Sequence, residues 1–262
     1  MKNSKNIILF CVMSFFSSFT DAQNYTADQV KQQISDFIYA IQNRDFNDVV
    51  KIFNDIDYSY VKSLYTKQEV DSFEFSMLKI CVFSIFDESA DFAEENAVLI
   101  FKFLLDQGFN ADFIGEQVLY VEVGSCFSLD TGNILHFALT QYVEVVMFSI
   151  EISKIMHPEA FQDQETLTYV AHIESLLLSM IQELLHRGIN VSSQGLMYDF
   201  VCEQEKNVTV LEYLDFVRTV IQSGQNKDAF WESLGLNLRQ FVDCKKALLA
   251  KLNAIQEVLK KN

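Results

Sequence analysis

Four histidines, five cysteines and one run of carboxylates are the residues here whose types could carry chemistry. His172 and His186 fall on one polar strip of a predicted helix, but 14 residues separate them. At the helical rise that is about 21 Å, too far to share a metal ion. His157 precedes Pro158, the sole proline, in a polar connector. The run Asp87, Glu88, Asp91, Glu94 and Glu95 lacks the D-x-D-x-D-G order and closing glutamate of a calcium loop. It reads instead as carboxylates facing the positive end of a helix. The cysteines contain no C-x-x-C pair, which argues against a zinc ribbon or thioredoxin-type site. H-E-x-x-H, G-x-S-x-G and the glycine-rich phosphate loops are absent from the sequence. The expectation is a protein that is not an enzyme and uses no cofactor or metal.

Composition narrows the class further. The chain has 262 residues, half of them hydrophobic, and a formal net charge of −16. Phosphate backbones and anionic lipid surfaces would repel it, so nucleic acid is not an expected partner. With 8 glycines and 1 proline the turn-forming residues are scarce, which favours long helices over strands. The 24 phenylalanines are expected to fill helix interfaces. Lys2 and Lys5, the apolar run Ile7 to Phe16 and the small side chains up to Ala22 have the form of a secretory signal peptide over 1–22. The run is shorter than the roughly 20 residues of a membrane span. A lipoprotein signal at Cys11 is disfavoured by the bulky Phe10 before it. The expected mature chain, 23–262, is exported to a periplasm or the medium. It retains Cys81, Cys126, Cys202 and Cys244, which permit two disulfides in three connectivities. At least two are expected as buried free thiols, Cys81 lying in an apolar helical pattern. The sequons at Asn24, Asn190 and Asn207 are close to the number expected by chance.

Helical periodicity organises the rest. Thr26 to Gln29 has the form of a capping box before the stripe Val30, Ile34, Phe37, Ile38 and Ile41. Further helices are predicted over 46–56, 73–86 and 92–106, with Thr66 to Glu69 as a second box. "QVLYVEV" is the one extended stretch, read as a short hairpin or an irregular loop. Two long helices follow near 133–156 and 164–187, each with a narrow polar strip that implies neighbours on several sides. Helices at 208–222, 227–235 and 239–260 complete the chain, with 223–262 forming a terminal cap. Trp231 is expected to anchor it.

One phrase occurs twice. "LLDQGFNAD" at 104–112 returns as "LLHRGINVS" at 184–192, each closing a helix with a glycine. "NILHFAL" at 133–139, "VTVLEYL" at 208–214 and "FSMLKIC" at 75–81 precede or follow in alternation, and "AIQNRDFNDVVKIFNDI" at 40–56 has Arg44 where a glycine would stand. In these residues the chain resembles the ankyrin-repeat family, whose units open on a Thr-Pro-Leu-His phrase and close on Leu-Leu-x-x-Gly. The spacing departs from the family's period of about 33: Leu78, Leu135 and Leu211 are 57 and 76 residues apart, and the glycines 80. The resemblance implies an all-α solenoid of helix–turn–helix units with lengthened helices and insertions. It also implies a structural role for His136 and a surface that binds another protein.

The expected recognition surface comprises Phe109, Asn110, Asp112 and Phe113 from one projecting turn, Ile189, Asn190 and Ser192 from the other, and Gln141 and Glu144 from a first helix. Phe109 and Phe113 would be exposed anchors. The negative charge implies a partner with a basic patch. The alternative is an exported helical carrier of an apolar ligand, enclosed between the helices near 133–156 and 164–187.

Overall fold

The computed structural model describes residues 27–87, 90–121, 127–154, 164–199, 203–223 and 238–261. The predicted signal segment, the Thr26 cap, His157, Pro158, Cys126, Cys202, Trp231 and the helix over 227–235 lie outside them. The described residues form two compact units, divided between Asn110 and Ala111.

The first unit holds α1 (Ala27–Gln42), α2 (Phe46–Asp55), α3 (Tyr58–Ser63), α4 (Lys67–Ser84) and α5 (Glu95–Asp106). Helix α1 packs on α2 and α4, and α5 on α2 and α4. The α1 stripe is buried as the periodicity predicts: Ile34, Phe37, Ile38 and Ile41 are all at most 7% exposed. Thr66 and Glu69 form the full capping box that starts α4. The connector after α2 is not irregular. It contains the short helix α3, capped by Asp57, whose carboxylate accepts the Tyr60 N–H at 3.0 Å. Phenylalanines fill this unit's interior, with Phe53 edge-on to Phe103 and in ring contact with Phe37 and Phe109.

The second unit corrects the all-α expectation. Strands β1 (Gly115–Val121), β2 (Phe127–Gly132), β3 (Gln194–Asp199) and β4 (Gln204–Thr209) form one antiparallel sheet in the order β1-β2-β3-β4. The extended stretch thus forms a hairpin, and a second hairpin joins it from a stretch with no strand pattern. Leu129 of β2 and Met197 of β3 are register partners and both fully buried, which fixes the core face. Around the sheet lie α6 (Ile134–Lys154), α7 (Gln164–His186), α8 (Val210–Ser223) and α9 (Leu238–Leu259). Helix α6 packs on α7 and both strands of the first hairpin, and α9 covers α6 and α8. Among the described residues there are nine helices, and none is long and apolar enough to cross a membrane.

Scarce glycine misleads the strand expectation because other residues take its conformation. Glu203, between β3 and β4, has φ +50°, and Arg44 has φ +63°. The repeated phrase also runs on further than its leucines. Gly115 and Gly195, again 80 residues apart, stand at the start of β1 and β3. Chain order is therefore helix, glycine closure, turn, hairpin, helix, and then the same again.

Candidate functional site

Each repeated phrase ends its helix in a Schellman closure. The Gly108 N–H donates to the Leu105 carbonyl at 3.0 Å and the Phe109 N–H to Leu104 at 3.2 Å, with φ +80° at Gly108. Gly188 and Ile189 repeat this against Leu185 and Leu184 at 3.0 and 3.2 Å, with φ +74°. In this motif the residue after the glycine folds back onto the last turn of its own helix. Phe109 and Ile189 are accordingly buried, 4% and 8% exposed. Phe109 stacks on Tyr58 at 5.5 Å, so it is a core residue of the first unit and not an exposed anchor.

Asn110 is also engaged locally. Its N–H donates to Glu74 Oε2 at 2.8 Å. Burial opposes ionisation of the neighbouring Asp71, yet hydrogen bonds from Lys67 and the Asn110 side chain hold its carboxyl below the ordinary range. Glu74 itself is 2% exposed and accepts from Tyr58 Oη at 3.0 Å and Lys62 Nζ at 2.8 Å. Burial and the Glu74 charge push the Tyr58 phenol far above its usual range, so it remains a donor.

The second unit brings three expected residues together. Asp112 Oδ1 accepts the Asn190 N–H at 2.8 Å, and Asn190 Oδ1 accepts the Ser192 N–H at 3.0 Å. All three are exposed. Behind them stands Asn133, which the expected surface does not include. Its Nδ2 donates to the Asn190 carbonyl at 3.3 Å, and its Oδ1 accepts the His136 N–H at 3.2 Å as the cap of α6. An Asn immediately before an apolar helix is the signal that could have found it. The same oxygen lies 2.8 Å from His136 Nδ1, so this ring nitrogen faces an acceptor. Nε2 lies 3.3 Å from the Val208 carbonyl at the end of β4. Burial pushes the ring down to about 4 from the ordinary 6.5, against a smaller opposing effect of that carbonyl. His136 is thus neutral, wholly enclosed and structural. At α8 the same position carries Glu212, which accepts the Thr209 N–H at 2.7 Å. Histidine and glutamate play the same part, since each ties the third helical residue to the cap.

The remaining expected residues lie elsewhere. Phe113 is half-buried. Gln141 is only 5% exposed and donates to Glu144 at 3.1 Å, so its side chain belongs to the interior. Eight residues, or about 12 Å of helix, separate it from Asn133. Cys81 is a fully buried free thiol, pushed up by burial, as its apolar setting predicts. The geometry offers recognition by fixed hydrogen-bonding groups: an exposed carboxylate, amide and hydroxyl on a braced turn pair.

The chain matches no protein-family model, no curated protein and no solved structure.

Proposed function

We propose that the protein is an exported protein-binding module of divergent ankyrin-like build, its partner carrying a basic patch. The observation that supports this most directly is the braced pair of turns, where Asp112, Asn190 and Ser192 are exposed yet held by one another and by Asn133. Preorganised polar groups lose little freedom on binding. The net charge of −16 favours a cationic partner by steering and complementarity. The helix–closure–turn–hairpin order occurs twice, as in a solenoid whose units each present one turn, and the structural placing of His136 accords with an ankyrin-like opening phrase. Ile189, buried by the closure at Gly188, holds the Asn190 turn onto its helix.

The test is site-specific photo-cross-linking from positions 112 and 192 in the natural host, beside the exposed control position 171. One protein cross-linked from 112 and 192, absent at 171 and lost at raised salt, is the expected result. Equal yields from all three positions, or none from the turns, would sink the reading.

A further inference from the structure

The first unit contains a cleft that the turn surface does not use. Ile34 and Phe37 of α1, Phe53 of α2, Val61 and Lys62 of α3, and Val70 and Phe73 of α4 line it. Its floor is closed, since Ile34, Phe37, Val61 and Phe73 are at most 9% exposed. Its lip is open: Phe53, Ile56, Tyr58 and Val70 stay half-buried, and Leu64 nearby in the chain is 38% exposed. The interior holds about 20 Å³, room for a water or two or the end of one aliphatic side chain.

Charge selects among possible occupants. Asp55 and Asp57 flank Ile56, Asp36 adjoins Phe37, and all three carboxylates are exposed. The lysines of the same segment are already neutralised, Lys62 by Glu74 at 2.8 Å and Lys67 by Asp71 at 2.5 Å. A second copy of this chain would bring another −16, and an anionic lipid surface would be repelled likewise. An apolar seat whose lining residues adjoin exposed carboxylates in the chain, and whose one lysine is paired, fits a cationic segment carrying an aliphatic residue.

We propose that this cleft docks a basic peptide segment of a partner protein, seating the end of one leucine or isoleucine side chain between α1, α2, α3 and α4. It rests on different residues from the turn surface, so either can fail alone.

The test is fluorescence anisotropy of the full chain with a labelled peptide holding one leucine between pairs of lysines. Replacing that leucine by alanine should weaken binding about tenfold, and replacing the lysines by glutamate should abolish it. Val70→Trp, which fills the cleft, should also weaken binding about tenfold, and Asp55→Lys about fivefold. The leucine-to-alanine comparison needs no protein variant, so it decides even if Val70→Trp fails to fold. Binding indifferent to that change would reduce the contact to general electrostatics and overturn the proposal. So would unchanged binding by a folded Val70→Trp chain. A dimer in sedimentation velocity that Val70→Trp abolishes would give the cleft to a second copy and overturn it too. Cleft binding as expected, with no cross-links from 112 and 192, would refute the turn surface alone.

Discussion

Glu74 provides the sharpest test of how the first turn is held. Its carboxylate is 2% exposed and takes three donors: Tyr58 Oη at 3.0 Å, Lys62 Nζ at 2.8 Å and the Asn110 N–H at 2.8 Å. Glu74→Gln keeps the volume but replaces one acceptor oxygen by an NH2 group. If that group faces Tyr58 and Lys62, it meets an ammonium; if it faces Asn110, it meets an N–H. Either orientation loses at least one hydrogen bond to a charged acceptor, worth about 1.5–3 kcal/mol. Lys62 is 38% exposed and can turn to water, which limits its share. The expected loss is therefore about 2–3 kcal/mol in urea unfolding followed by circular dichroism. Lys67→Met is the internal control. It removes a pair with Asp71 whose lysine is 82% exposed, and should change stability by less than about 0.5 kcal/mol. A Glu74→Gln chain within about 0.5 kcal/mol of the wild type, or a control that loses as much, would refute the claim that this buried carboxylate fixes the turn.

Four other outcomes are expected. A Cβ at Gly195 would lie 2.4 Å from the Thr131 backbone oxygen, so Gly195→Ala should destabilise by about 3 kcal/mol as β2 is displaced, read by urea unfolding. Gly188→Ala meets nothing within 4 Å, and only its φ of +74° opposes the change; about 1 kcal/mol is expected from thermal unfolding. His136 should make stability pH-dependent: the unfolded chain binds its proton near 6.5 and the folded chain only near 4, so stability is lost as pH falls through that window, by about 3 kcal/mol. A His136→Gln chain should show a flatter profile between about pH 7 and 4 in denaturant titrations, and an equally steep one would contradict this. Phe109→Ala should destabilise by about 3 kcal/mol in urea unfolding, as core residues do, and a neutral result would return Phe109 to the surface.

Much of the helical layout is legible in the sequence because it depends on local chemistry. Apolar spacing locates α1, α2, α4, α6 and α7, and Thr66 with Glu69 announces the start of α4 through bonds only three residues apart. Gly108 and Gly188 announce two helix ends, since the left-handed conformation there favours glycine. Strand β4, "QEKNVT", is not legible: it shows neither alternation nor β-branched enrichment until Val208, and its backbone is extended because β3 supplies the partners.

For the candidate surface the division is similar. Sequence alone determined that two equivalent turns exist, that they follow glycine-closed helices, and that the chain is acidic. Only tertiary structure decided which turn residues face water. Phe109 and Ile189 are drawn inward because a Schellman closure returns the next apolar residue to its helix. Asp112 and Asn190, 78 residues apart, meet through a hydrogen bond that no local pattern encodes. Local rules act over a few residues, whereas the pairing of β2 with β3 and the bracing of the turns depend on contacts between segments distant in the chain.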